Sequence, residues 1–382
     1  MKTYYLGELI TQRREKNPGG DLPILGVSKD GWIPPKQKDA DTSIYNVFYR
    51  NDFVFNPARM ELNSIAFNNL YDKAICSSLY EVFYVSRTDL IMPEYLNLII
   101  KQNWFTRYCE FLGSGSAREY CRVANISEIP VEVPELSVQS KAVKYNDVIT
   151  RRIELKKKIN DNLRDSGLSI IEKTVGTAAL INKTQNELDS VAIPNGWTIR
   201  TVSDFCKETK SGATPSRSEP DYWNNGTIPW LKSGEVHNGI TLKTEEYITQ
   251  SGLNNSSTKI LPSDTVLMAM YGVTAGEVGY LSIPATTNQA ICGMICNTPN
   301  EAAYLFFALL QNQSAASRLS NGGAQDNLSK AFIDNIHIVC PPNEIINKLG
   351  LSSLIKAMTL STKEMDCLEQ LRSTILSLLS SR

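Results

Sequence analysis

The chain has 382 residues, 42% of them hydrophobic, and its 39 Lys and Arg against 40 Asp and Glu leave a formal net charge of -1. That length supports two or more separate cores, and that balance excludes a uniformly basic nucleic-acid binder while allowing local patches of one sign. The eight cysteines (76, 109, 121, 206, 292, 296, 340 and 367) lack disulfide-framework or zinc-site spacing, and only His237 and His337 exist to help hold a metal. The start MKTYYLGELI has no apolar signal core, and no run of about 18 apolar residues occurs, so a reduced, cytoplasmic protein without a membrane partner is expected.

Residues 1–136 read as a mixed domain of short strands with one helix. Tyr4–Ile10 opens it, and Leu22–Val27 has the look of a buried strand between turn formers. Asn46–Asn56 carries strand propensity on both sides of a turn at Arg50-Asn51-Asp52, and Ile75–Val85 is a further strand region. Met92–Phe111 is predicted helical, with Pro93 suited to its first turn. A Gly-Ser loop, LGSGSA (Leu112–Ala117), then leads to Ile126–Pro134.

The stretch Ser137–Asp165 reads as one long polar helix, with Ser137 as N-cap and Ser166-Gly167 as stop. About 29 residues at 1.5 Å each give roughly 40 Å of rod. Val138, Ala142, Tyr145 and Ile149 recur at spacings of four, three and four, followed less strictly by Ile153, Ile159 and Leu163, which marks a narrow seam for a partner helix. The same stretch carries eight Lys and Arg against four Asp and Glu, 8 - 4 = +4.

Residues 168–196 look irregular in part, and the turn Pro194-Asn195-Gly196 starts a second domain that repeats the first. LSNGGA (Leu319–Ala324) echoes LGSGSA, and Gly115 and Gly322, Ile126 and Ile333, Ile129 and Ile336, and Pro134 and Pro341 all share one offset of 207. Leu22–Leu25 sits beside Ile228–Leu231, Asp52–Phe55 beside Asp264–Leu267, and Ala74–Cys76 beside Ala290–Cys292. The helix returns as well: Leu354, Met358, Ser361, Met365, Leu368, Arg372, Ile375 and Leu379 alternate in steps of four and three. The expected fold class is therefore α+β, with similar mixed α/β domains over 1–136 and 194–342. A helical spacer over 137–193 and a C-terminal helix over 343–382 separate them, and their seams bury best against each other as an antiparallel coiled coil.

Catalytic signatures are missing. No phosphate-cradling loop, dinucleotide glycine fingerprint, HExxH, GxSxG or Asn/Asp-Pro-Pro-aromatic methyltransferase motif occurs, and Pro220-Asp221 is not followed by the Asp/Glu-x-Lys of a nuclease centre. Hydrogen-bonding loops concentrate instead in the second domain. SGATPSR supplies Ser211, Thr214, Ser216 and Arg217, and TIPWLKSGEV puts Lys232 and Ser233 just past a strand. AMYGVTAGEVG sets three glycines around Tyr271 and Thr274, TTNQA offers the amides of Asn288 and Gln289, and GGAQDNLSK adds Gln325, Asn327 and Lys330. Such groups suit close approach to phosphates and bidentate contacts to guanine or adenine edges, although each alone is more often a turn or strand edge. The first domain carries TQRREK (Gln12, Arg13, Arg14, Lys16) and then Arg59, Asn63 and Arg118. A retained framework with divergent polar loops is what two heads reading different sequences need. A non-catalytic scaffold whose repeated domains bind proteins is the other reading open to these residues.

The segments SGATPSR, YWNNGTIPWLKSGEV, GLNNSSTKILPSDTVLMAMYGVTAGEVG, TTNQAIC, NLSK and IHIVCPP together resemble the specificity subunit of type I restriction-modification systems, over essentially the whole chain. The resemblance implies two target-recognition domains that each read one half of a bipartite DNA site, with the helices setting the unread spacer. It implies a chain without an active site, and partners comprising double-stranded DNA, two modification subunits that use S-adenosylmethionine, and restriction subunits that use ATP and Mg2+.

Overall fold

Short runs of aromatic and β-branched residues closed by turn formers build the strands of this chain. A computed structural model describes residues 1–35, 41–113, 120–321 and 328–380, and the chain forms two compact units, Met1–Arg151 with Glu369–Arg382, and Arg152–Leu368. The first unit runs β1 (Lys2–Tyr5), β2 (Ile10–Arg13), β3 (Ile24–Ser28), β4 (Gly31–Ile33), β5 (Asn46–Tyr49), β6 (Asp52–Phe55), β7 (Ile65–Phe67), β8 (Lys73–Cys76) and β9 (Glu81–Val85). After these come α1 (Pro93–Ile100), α2 (Asn103–Gly113), α3 (Val123–Ile126) and β10 (Pro130–Val133). The turn between β5 and β6 passes through Asn51 in the left-handed region, φ 69°. The helix expected over Met92–Phe111 is broken after Ile100, where the Gln102 amide donates to Ile99 and the Trp104 indole donates to the Gln102 side chain at 2.9 Å.

Helix α4 (Leu136–Val175) is longer than expected, 40 residues and so about 60 Å. Ser137 does not cap it: the Glu135 carbonyl accepts from the amides of Val138 and Gln139, and Ser137 lies within the first turn. Nor does Gly167 stop it. A Cβ there would stand 2.2 Å from Phe307 Cε1, so this glycine lets a core ring press on the helix backbone. The stop is Gly176, φ 73°, whose amide closes onto the Glu172 carbonyl.

The second unit continues with β11 (Ala179–Leu180), α5 (Gln185–Asp189), β12 (Thr198–Thr201), α6 (Val202–Phe205), β13 (Glu208–Ser211), β14 (Ile228–Leu231), β15 (Ile240–Thr241), β16 (Glu246–Ile248) and α7 (Gln250–Asn254). Then come β17 (Thr265–Ala269), β18 (Val278–Leu281), β19 (Thr286–Thr287), β20 (Ile291–Ile295), α8 (Pro299–Gln311), α9 (Gln313–Asn321), α10 (Lys330–Asp334), β21 (His337–Cys340), α11 (Asn343–Lys348) and α12 (Leu351–Ser380).

The two units repeat sheet by sheet. The order β2-β9-β6-β7 returns as β13-β20-β17-β18, extended by β15, and the antiparallel pair β1-β10 returns as β12-β21, extended by β11. In the third sheet β3 lies parallel to β8, Ile24 opposite Ile75, as β14 lies parallel to β19, Trp230 opposite Thr286. These pairings correct one sequence equivalence. Ala74–Cys76 lies in β8 and so corresponds in position to β19, whereas Ala290–Cys292 leads into β20, the counterpart of β9.

Each unit has its own main core. In the first, Phe53, Phe55 and Phe83 of the sheet meet Leu96, Ile99 and Phe105 of α1 and α2. In the second, α8 is buried on nearly every side, its Tyr304, Phe306 and Phe307 packed among Met268, Tyr280, Ile338 and the start of α12 at Ile355 and Met358.

The two long helices run antiparallel. In the second unit Arg152 Nε donates to Glu364 at 2.7 Å, Lys156 Nζ lies 2.6 Å from the same carboxylate, and Asn160 Nδ2 donates to Thr362 Oγ1 at 3.1 Å. In the first unit Leu376 of α12 joins Val143 of α4 against the core that contains Ala142. The buried line on α4 runs through Gln139, Ala142, Ile149, Ile153, Gly167 and Ile171. Val138 is half-buried beside it, but Tyr145 and Ile159 are exposed, Tyr145 at 54%. The alternation instead passes through the half-buried Asn146, Lys156 and Asn160, so part of this seam is polar and the apolar count alone misplaced it. On α12, Met358 is buried and Leu354, Met365, Leu368 and Ile375 are half-buried.

Candidate nucleic-acid interface

The loops of the second unit converge because a glycine lets two backbones touch. A Cβ on Gly212 would lie 2.0 Å from the Thr287 carbonyl, so only glycine fits there. The Ala213 amide then donates to Thr287 O at 2.9 Å, and the buried Trp230 indole donates to Ala213 O at 3.0 Å. This fastens the SGATPSR segment beyond β13 onto β14 and β19. The fastening sets Thr214 beside Gln289, their side chains bonded at 2.7 Å. Asn288 is tied to the end of β14 by its amide on Leu231 O, and its side chain accepts from the Ala290 amide. From the far side, Thr274 donates to Ser233 O at 3.1 Å and anchors a turn that turns Tyr271 and Val273 outward. Of the candidates in this unit, Thr214, Arg217, Lys232, Ser233, Thr274, Asn288 and Gln289 are thus linked, with Tyr271 at their margin. Ser211 ends β13 at their edge.

Arg217 is held flat. Its guanidinium carbon lies 3.6 Å from the Trp223 ring centre and 4.9 Å from that of Trp230, while Nη2 donates to Glu246 at 2.6 Å. The Trp223 indole is itself fixed on Ser216 O, and the Ser216 hydroxyl pairs with that of Ser218. Lys232 Nζ lies 2.7 Å from Glu245 and 3.7 Å from Glu246, and the hydrogen bond to Glu245 raises its pKa above the ordinary lysine value. The sequence reading missed Trp223, Glu245 and Glu246 as members of this cluster, since 29 residues separate Arg217 from Glu246 and no local pattern joins them. Lys330 is placed elsewhere: it donates to Thr209 and is paired with Asp334 at 2.5 Å, bracing α10 against β13. Gln325 and Asn327 lie outside the described residues.

In the first unit several candidates serve the fold. Arg13 forms a fork on the buried Asp52 at 2.6 and 3.1 Å, flanked by Tyr49 and Tyr84 at 4.7 and 4.6 Å. Burial pushes the Asp52 carboxyl up from the usual range, and Arg13 and the Tyr49 amide oppose that shift. Asn63 adopts φ 52° and donates to Ile100 O and Thr106, a structural cap. Lys16 is bonded to Ile44 O and Asn46. Gln12 accepts the Arg14 guanidinium at 2.8 Å on the surface, and Arg59 is exposed at a kink. Arg118 lies outside the described residues. The basic run conceals which of its members has a buried acid 39 residues away.

Among the described residues no group of three or more His, Cys, Asp or Glu is arranged to hold a metal ion, and no helix is long and apolar enough to cross a membrane.

The family model for the type I restriction modification DNA specificity domain matches residues 6–165 and again 194–370. The type I restriction enzyme HindI specificity subunit of Haemophilus influenzae is 21% identical over 374 residues, covering 81% of each chain. The MjaIX specificity subunit of Methanocaldococcus jannaschii is 22% identical over 297 residues, covering 75% of this chain and 68% of its own. In fold, the crystal structure of the type I restriction-modification S subunit from M. genitalium matches with a TM-score of 0.57 at 14% identity, over 100% of this chain and 96% of the other. With the specificity domain present twice and covering most of its length, the chain belongs to the family of type I restriction-modification specificity subunits.

Proposed function

We propose that this chain is the non-catalytic, sequence-reading subunit of a type I restriction-modification complex, with one half of a bipartite target read by residues 1–136 and the other by residues 194–342. The tandem occurrence of the specificity domain carries this reading. The second half-site is read by the linked loops around Thr214, Arg217, Lys232, Tyr271, Asn288 and Gln289, by direct contact to base edges and phosphates. In the first domain the exposed Gln12–Arg14 pair and Arg59 are the better candidates, since Arg13, Lys16 and Asn63 are bonded within the fold. The antiparallel helices set the spacer between half-sites. Leu155 and Ile159 of α4 and Leu360 of α12 remain exposed, apolar surface of the kind a partner helix covers, and this supports docking of two modification subunits there. S-adenosylmethionine, ATP and Mg2+ are used by the modification and restriction subunits, and this chain binds none of them.

The test is methylation mapping across a genome in cells expressing this chain with its modification partner. A single bipartite motif with a fixed spacer is the expected result, and methylation without sequence selection would overturn the proposal.

A further inference from the structure

The acidic residues of the second reading surface divide into two kinds. Glu235 holds backbone: its two carboxylate oxygens accept from the amides of Lys232 and Glu245 at 2.9 and 2.8 Å. The side chains of Glu245 and Glu246 do nothing of that sort. Glu246 bridges Arg217 and Lys232 with its two oxygens, and Glu245, its side chain 68% exposed, takes Lys232 from the other side. The local fold does not rest on these pairs, because the Arg217 guanidinium lies against Trp223 and the Lys232 backbone is fixed by Glu235. Ion pairs this exposed add little to stability. Their effect falls on charge: the two cations nearest the reading loops arrive at DNA already neutralised.

Resting on the reading above for the second domain, we propose that Glu245 and Glu246 are built-in competitors for phosphate that suppress binding to arbitrary DNA. Generic duplex offers only counterion release, which scales with the number of phosphates that free cations neutralise. Arg217 and Lys232 are withheld from that exchange by their carboxylates. A target duplex also offers base edges, where the planar Arg217 fork finds two acceptors in place of the single Glu246 oxygen it holds. The carboxylates therefore weaken generic binding more than target binding, and they widen the ratio between the two.

The experiment compares the full chain with its Glu245→Gln/Glu246→Gln variant on a random-sequence duplex, by fluorescence anisotropy across salt concentration. Two further phosphate contacts steepen the log-log salt slope by about 1.8, and adding Arg217→Ala and Lys232→Ala to the same variant returns it to the original slope. Glu235→Gln serves as fold control and lowers Tm without steepening the slope. An unchanged slope in the double variant overturns the proposal. If Arg217→Ala alone still alters the second methylated half-site in that case, the proposed function stands and only the masking fails; if it alters neither half-site, both fail.

Discussion

Replacing Gly167 by alanine sets two opposed effects against each other on one helix. Alanine favours an exposed helix interior over glycine by about 1 kcal/mol. Gly167, however, is buried on a face pressed by Phe307, and the added Cβ would stand 2.2, 2.4 and 2.7 Å from three carbons of that ring. Carbon atoms rest at about 3.5–4.0 Å, so ring or helix must move by more than 1 Å. Phe307 is fully buried and packs against Phe306 at 5.0 Å between ring centres, leaving no open side to move into. Overpacking of a well-filled core costs about 1–3 kcal/mol, and a clash this deep belongs at or above the upper end, so the net expectation is a loss of about 2 kcal/mol. Chemical denaturation followed by circular dichroism measures it, and Gly167→Ala combined with Phe307→Leu should recover most of the loss. A Gly167→Ala chain as stable as the original, or more so, would refute the reasoning.

The remaining predictions follow from the same contacts. Arg13→Ala leaves Asp52 buried without its partner and should destabilise the chain by about 3 kcal/mol, whereas Arg59→Ala should fall within about 0.5 kcal/mol; denaturant midpoints separate the two. Arg217→Ala should change the second half-site and leave the first intact, as read by methylation mapping. Removing one heptad from α4 and the facing heptad from α12 shortens the rod by about 10 Å, which corresponds to roughly 3 base pairs of spacer at 3.4 Å each; an unchanged spacer would refute the proposed role of the helices. Glu364 is held below its ordinary pKa of 4.5 by Lys156 and then Arg152. With a depressed folded value, its contribution is present above that pH and lost as pH falls through the lower one, so Glu364→Gln should flatten the acid limb of a stability-pH curve.

Much of the architecture was legible because it rests on local signals. Asn51 and Pro93 mark a turn and a helix start by their own backbone preferences, and a fixed offset exposes the repeat. What escaped depends on partners distant in sequence. Gly167 looks like a helix stop until Phe307 is brought against it, and Tyr145 looks like a seam residue until Asn146 and Asn160 take the buried line. The candidate site divides in the same way. Polar loops reveal where a surface is, yet Arg13 and Arg217 differ in what folds beside them: a buried acid and two tyrosines in one case, a half-buried acid and two tryptophans in the other.

The close approach at Gly212 bears on how the proposed reading loop of this chain could change its target. The start of the loop beyond β13 is held through the Ala213 amide and carbonyl, an attachment that does not use the side chains at 214, 216, 217 and 218. Substitutions at those four positions leave the mounting intact, while one at 212 removes it. Under the proposed reading of DNA by this loop, new recognition would arise by single codon changes that spare the Ala213 attachment, and variation among descendants of this chain is expected to gather beside a glycine that does not vary.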